Sequence, residues 1–264
     1  LLLPALGKAR QQARELQDST NVRSLLQGLV LFANNNDSDY PLPSKIDRND
    51  QTIDGEELTS DREKDTTGNI FSVLIARGIV APEICVSPIE VGQFEVYDDY
   101  ENEAPVGGVN GRAEDNRSIW DPNFRATPLS PFYDQGARGD DETNAPDEFL
   151  EKYVGVGNFS YTHTPPFGRR KTQWANTIDA LQPMISYRGP VYELGTASGD
   201  DVEPWELKET EDETGDGETP LGTTSITLTA AGSREQWTGN VGFNDAHVED
   251  YSRPDPDEII WSFK

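Results

Sequence analysis

Only two histidines are present in 264 residues, so any proton-transfer or metal chemistry has few places to sit. His163 lies in SYTHTPPF, beside Tyr161 and two prolines; His247 lies in GFNDAHVEDY, two residues after Asp245. Alternate residues of a strand share a face, so Asp245 and His247 could supply two metal ligands, as in a metal-dependent hydrolase. The competing reading is that His247 opens the return strand of a hairpin turned by Asn244, Asp245 and Ala246. A zinc site needs a third ligand, and neither HExxH nor a similar spacing occurs. GxSxG is absent too, and Ser72, Ser87 and Ser130 have no histidine near them in sequence. The single cysteine, Cys85 in ICVSP, reads as a small buried filler, and one cysteine excludes an internal disulfide or a CxxC site. VGGVNG (106–111) and VGVGNF (154–159) hold glycines but no following Lys-Ser/Thr, which leaves them poor phosphate cradles. These residues predict a protein that is not an enzyme.

Carboxylates are the abundant chemistry. Hard cations such as Ca²⁺ take several oxygens from carboxylates and carbonyls on loops. NDAHVEDYSRPDPDE offers Asn244, Asp245, Glu249, Asp250, Asp255 and Asp257, and the stretch 199–218 offers Asp200, Asp201, Asp212 and Asp216. Neither has EF-hand spacing, so the expectation is at most a Ca²⁺ that staples a loop at Asn244, Asp245, Asp250, Asp255 and Asp257. No cofactor is required.

The charge balance frames these sites. Lys and Arg number 22 against 48 Asp and Glu, a net −26, which argues against nucleic acid as a partner. The distribution is uneven. Residues 1–36 carry Lys8, Arg10, Arg14 and Arg23 against Glu15 and Asp18, a balance of +2 that leaves −28 on the remaining 228 residues. A slightly basic stem therefore precedes a strongly acidic head.

The elements that must position all this change character along the chain. From Ala5 to about Asn34 the pattern is helical, with Leu6, Ala9, Ala13 and Leu16 in a stripe that Val22, Leu25, Leu26, Leu29, Phe32 and Ala33 are expected to continue. Pro4 stands where a helix could start or a longer one be broken. NNNDSDYPLP (34–43) is a dense stop signal, and 44–68 reads as a long polar surface loop. A second, apolar helix follows in NIFSVLIARGIVAPEICVSP (69–88), with Ile70, Val73, Leu74 and Ile79 inward, Gly78 as its stop, and the first helix as its packing partner.

Beyond residue 93 helical periodicity vanishes. NFSYTHT (158–164), PVYELG (190–195), TSITLT (224–229), GNVGF (239–243), HVEDY (247–251) and EIIWSF (258–263) are strand candidates, while 199–218, with ten acids and one Lys, reads as a solvated loop. Helices first and strands after predict an α+β fold: a long N-terminal helix (1–36) packed on a mostly antiparallel sheet in an acidic head (37–264) with long acidic loops.

LLLPALGKARQQAR followed by NVRSLLQGLVLFANNNDSDYPLP resembles the stretch after the cleavage site of type IV pilin-like proteins and type II secretion pseudopilins. In the head, ARGIVAPEICVSP, SYTHTPPFGRRKTQWANT, ISYRGPVYE and GNVGFNDAHVE resemble segments of the large-headed members, whose last motif usually ends Asp-Gly-His-Val. Here Ala246 stands where Gly is typical; Gly accepts positive φ and Ala does not without strain, so the turn type is left open. The family's cleavage motif and its Glu are not among these residues.

What the resemblance implies is a structural subunit, a major pilin or pseudopilin. Its partners would be copies of itself in a homopolymeric filament, the pilus or secretion assembly machinery, and the inner membrane, in which an upstream apolar segment sits before assembly. The filament would stand at the bacterial cell surface. Leu1, Leu2, Leu3, Pro4, Leu6, Ala9, Ala13 and Leu16 would face neighbouring subunits, and Leu25, Leu29, Phe32 and Ala33 would dock the helix on the head. The alternative is a minor pseudopilin or exported binding module whose acidic loops hold a substrate or cation.

Overall fold

Straight-chain and alanine-rich sequence with no interior proline favours one uninterrupted helix after Pro4, and α1 runs from Leu3 to Asn34. Its 32 residues make a rod of roughly 48 Å. The molecule is seen in a computed structural model that describes residues 3–53, 64–103, 118–126, 156–194, 205–208, 222–223, 225–230 and 236–252. It is α+β: the long N-terminal helix packs against an antiparallel four-stranded sheet. The asparagine cluster stops α1 as its composition predicts. Asp37 and Ser38 take positive φ (53° and 68°), and the N–H of Ser38 caps the Ala33 carbonyl at 3.0 Å.

Within 44–68, the described residues 44–53 and 64–68 are more ordered than a surface loop. A helical turn, α2 (Pro43–Ile46), leads to a fully buried Asp47, whose carboxylate accepts from the N–H groups of Gln51, Thr52 and Ile53 at 2.6–2.9 Å. The polar composition hid this, because a carboxylate that collects backbone donors can be buried. Helix α3 (Thr67–Ala76) then begins on Thr66, whose hydroxyl accepts from the N–H of Asn69, and ends at Gly78 with φ +65°. Its residues Gly68 to Ile75 are all buried. They share one core with Val22, Leu25, Leu26, Leu29, Phe32 and Ala33 of α1, and with Trp120, Phe159 and Trp174 from later segments.

The sheet has the order β1 (Tyr161–His163), β2 (Pro183–Tyr187), β5 (Gly239–Phe243), β6 (Val248–Tyr251). A separate two-stranded piece joins β3 (Tyr192–Leu194) to β4 (Trp205–Leu207). Four strand candidates are therefore strands. TSITLT is not: Ser225 caps a 3-10 turn over Ile226–Thr229 by accepting from the Thr227 N–H, and the turn buries Thr227 and Leu228. The central strand β2, PMISY, lacks the polar-apolar alternation that marks a half-exposed strand because Met184 and Ile185, which point to opposite faces, are both buried. β4 lies inside the acid-rich 199–218 stretch that composition assigns to a loop. EIIWSF lies outside the described residues.

Strand β5 is the sheet's contact with the helix. Successive residues point to opposite faces, and Asn240 and Gly242 face α1 while Val241 and Phe243 face away. A Cβ on Gly242 would run into Leu26 Cδ1 and come within 2.6 Å of Val22 Cγ1, so the absence of a side chain lets the helix lie on the strand. Gly242→Ala is expected to cost about 1–3 kcal/mol by overpacking, read as a lower urea midpoint with an unchanged denaturant slope.

Candidate functional site

The helix carries two apolar faces rather than one. Leu16 and Val22 are six residues apart, a turn of roughly 240° at about 100° per residue, so the lower stripe does not run on into the upper one. Val22, Leu25, Leu26, Leu29, Phe32 and Ala33 are buried in the head. On the opposite side Leu6, Leu16 and Leu31 are 50%, 72% and 50% exposed, and Ala9 and Ala13 are exposed with them. The expected single stripe is thus corrected: tertiary packing uses one face and leaves the other in solvent. Leu3 and Pro4 open α1, and Leu1 and Leu2 lie outside the described residues. No described helix is long and apolar enough to cross a membrane.

Below Val22 the head-facing side of α1 turns polar, at Asp18, Glu15 and Gln11. Gln11 donates to the Glu15 carboxylate at 3.0 Å and to the Ala230 carbonyl at 3.1 Å. Asp18 is the anchor. It is fully buried, and its carboxylate accepts from the Tyr161 hydroxyl at 2.9 Å, the Asn240 amide at 2.6 Å and the Ser87 hydroxyl in a short contact. One side chain thereby ties α1 to β1, to β5 and to the segment after α3. Burial pushes its carboxyl above the ordinary range; the bonds from Ser87, Asn240 and Tyr161 oppose that rise, and the nearby Glu90 charge adds to it. Glu90 is itself held by Arg188, Nε to Oε2 at 2.8 Å and Nη2 to Oε1 at 2.6 Å, with the guanidinium 4.7 Å from the centre of the Phe94 ring. Asp18 escaped the sequence reading although its place one turn before Val22, on the buried stripe, was a usable signal.

The C-terminal hairpin closes the same junction. Between β5 and β6, Asn244, Asp245 and Ala246 form a three-residue loop in which the Ala246 N–H donates to the Phe243 carbonyl at 2.8 Å. Ala246 takes φ +67°, a conformation glycine adopts freely. The Asn244 side chain is buried, accepting from the Tyr40 hydroxyl at 2.6 Å and donating to the Ile178 carbonyl at 3.2 Å, so it locks the exit of α1 to the hairpin. Asp245 accepts from the His247 N–H at 3.0 Å and pairs with its imidazole, which stacks on Phe243 at 4.2 Å. Asp250 stands on β6 opposite Asn240, and burial pushes its carboxyl up, with Glu15 adding to the rise. Of the Ca²⁺ candidates, Asn244 and Asp245 are therefore held in separate contacts, and Asp250 stands on β6 opposite Asn240. Asp255, Asp257, Asp200, Asp201, Asp212 and Asp216 lie outside the described residues. Among the described residues no group of three His, Cys, Asp or Glu side chains could hold a metal ion.

His163 is packed between Phe71 and Trp174, its Nε2 2.9 Å from the Thr67 hydroxyl and its Nδ1 3.0 Å from the Thr164 carbonyl. A carbonyl only accepts, so Nδ1 carries the proton and Nε2 accepts from Thr67. Burial lowers its pKa to about 4, against the raising effect of the Thr164 carbonyl, which keeps the ring neutral at physiological pH. Cys85 is buried, with its thiol pushed up by burial, which suits filler rather than nucleophile.

Family models, curated proteins and solved structures were each compared with the chain, and none matches it.

Three substitutions test the junction. Asp18→Ala strands three buried donors and is expected to cost about 2–4 kcal/mol in chemical denaturation. A folded carboxyl raised above its unfolded value contributes stability that is full below about pH 4 and is lost as pH rises through the folded value. The stability of Asp18→Asn relative to the parent should therefore improve as pH rises from about 4 towards neutrality. Ala246→Gly relieves left-handed strain of about 1–2 kcal/mol, partly offset by a more flexible unfolded chain, and should raise stability by about 0.5–1 kcal/mol in the same assay.

Proposed function

We propose that the protein is a structural subunit that assembles with copies of itself through α1 into a type IV pilin-like or pseudopilin-like filament. The observation that carries this reading is the second apolar face of the helix, with Leu6, Leu16 and Leu31 half or more exposed on the side opposite the head. An apolar stripe left in water costs free energy that a partner surface recovers. The occupant is a second copy. The stem holds a balance of only +2, with Lys8, Arg10, Arg14 and Arg23 exposed, while the rest of the chain holds −28, so heads repel one another far more strongly than stems do. Stems then gather inside and acidic heads stand outside. The resemblance of the stem and of GNVGFNDAHV to pilin-like segments supports the same arrangement. In this reading the role is structural rather than catalytic, assembly machinery delivers the subunit, and the filament lies at the bacterial cell surface.

Cys85 is buried, so an introduced cysteine gives one accessible thiol. Leu16→Cys should give disulfide-linked dimers under mild oxidation, whereas Leu181→Cys, at a position 65% exposed on the head, should not. Leu16→Arg should abolish assembly seen by electron microscopy while changing the head's stability by less than about 0.5 kcal/mol. Equal cross-linking at the two positions, or filaments that survive Leu16→Arg, would overturn the reading.

A further inference from the structure

The sheet face turned away from α1 carries a groove of about 310 Å³ that the filament reading does not use. Its floor follows from the register. Asn240 and Gly242 face the helix, so Val241 faces away, and Ser186 opposite Val241 and Thr162 opposite Ser186 complete a row on that side. Tyr251 shares this face, since it stands opposite Gly239, and Tyr192 and Trp237 line the groove with it. The charged groups around the groove are satisfied within the fold. Arg170 has a partner, Lys171 lies 3.6 Å from Asp65, the Tyr251 hydroxyl donates to Glu249 at 2.6 Å, and both ring nitrogens of His163 are engaged. What remains for an occupant is aromatic and aliphatic surface.

The chain itself leaves β6 at the rim of this groove. Tyr251 lines it, and the next carbonyl, that of Ser252, accepts from the Gln236 amide at 2.8 Å, one residue before Trp237. Residues 253–264, RPDPDEIIWSFK, follow this fixed point and lie outside the described residues. Their sequence has two parts. RPDPDE is rich in the prolines and aspartates of turns, and EIIWSF alternates so that Ile259, Trp261 and Phe263 fall on one side of an extended strand. The reach is sufficient. Residues 253–258 span at most about 20 Å when extended, while crossing from β6 to β1 takes three strand spacings, roughly 14 Å.

We propose that residues 259–263 lie across the far face of the sheet of their own chain, with Ile259, Trp261 and Phe263 filling the groove. Two apolar surfaces that each cost free energy in water then cover one another. Water filling the groove, on the order of ten molecules at about 30 Å³ each, returns to bulk. The Thr162 and Ser186 hydroxyls on the floor can meet backbone N–H and C=O groups of the extended segment. The tether selects the chain's own segment over that of another copy, because a short linker holds it at an effective concentration in the millimolar range. The groove is on the opposite side of the sheet from α1, so this inference does not rest on filament formation.

The reactivity of a thiol on the groove floor tests this. Cys85 is buried, so Ser186→Cys supplies one accessible thiol. Maleimide should label it about tenfold more slowly in the full chain than in a chain shortened after Asp257. Trp261→Asp in the full chain should restore the fast rate. Thr162→Cys, on the neighbouring strand, should show the same order, and thermal melts of every variant check that the fold persists. The slow rate should change neither with protein concentration nor when Leu16→Arg is added to prevent stem assembly. Two results would overturn the proposal. One is equal labelling of the folded full and shortened chains. The other is protection that grows with protein concentration, which would give the groove to a segment of another copy. Cross-linking at Leu16 is indifferent to all of these outcomes, so the two readings can fail separately.

Discussion

A carboxylate taken out of water costs several kcal/mol unless donors meet its oxygens, and Asp18 is taken out of water at the point where helix and head join. Ser87, Tyr161 and Asn240 come from separate stretches of chain, and each needs Asp18 as much as Asp18 needs them. This reciprocity fixes the axial position and rotation of α1 on the sheet. A one-residue slip of the helix would bury the carboxylate without partners and put Leu26 and Val22 out of reach of the space that Gly242 leaves. Apolar packing above Asp18 supplies most of the stabilisation, because it is broad and non-directional. The polar cluster supplies the direction.

Once α1 is fixed, its two faces acquire different fates. The upper stripe is consumed by the core with α3, and the lower stripe is presented to solvent on the opposite side. Were the lower stripe in phase with the upper, Leu16 would point toward the head, where Glu15 and Gln11 make polar contacts with β5 and Ala230 instead. The six-residue offset between Leu16 and Val22 thus converts one amphipathic helix into a fastening above and an adhesive surface below. The uneven charge accompanies this division, with +2 on residues 1–36 and −28 on the rest of the chain.

The C-terminal hairpin ties the other end of the arrangement. Asn244 bonds Tyr40 just past the end of α1, so the last strands lock down the first helix. Ala246 tolerates left-handed backbone because the surrounding bonds, from Phe243, Gln182 and Ala180 to the loop, over-determine the turn. With β5 and β6 held this way, Val241 and Tyr251 keep a fixed register on the far face of the sheet, opposite Glu249 and Gly239.

Helical periodicity, the asparagine stop, the Gly78 terminus and the β-rich runs around Tyr161, Val241 and Val248 were legible in the sequence, because each is a local preference repeated over several residues. By itself the sequence determined an α+β chain with a long N-terminal helix and a slightly basic stem before an acidic head. It could not place β2, whose two covered faces erase the alternation, nor the buried Asp47 and Asp18, since composition treats every carboxylate as a surface group. It placed Leu6 through Ala33 on one stripe, although the six residues from Leu16 to Val22 already set two faces apart; the tertiary structure shows which of the two is buried. That decision belongs to three dimensions for a physical reason: which face of a helix is buried depends on donors and cavities contributed by residues up to 222 positions away, such as Asn240 for Asp18. Local pattern can show that a helix has apolar residues; only the packed molecule decides which of them remain free to meet another copy.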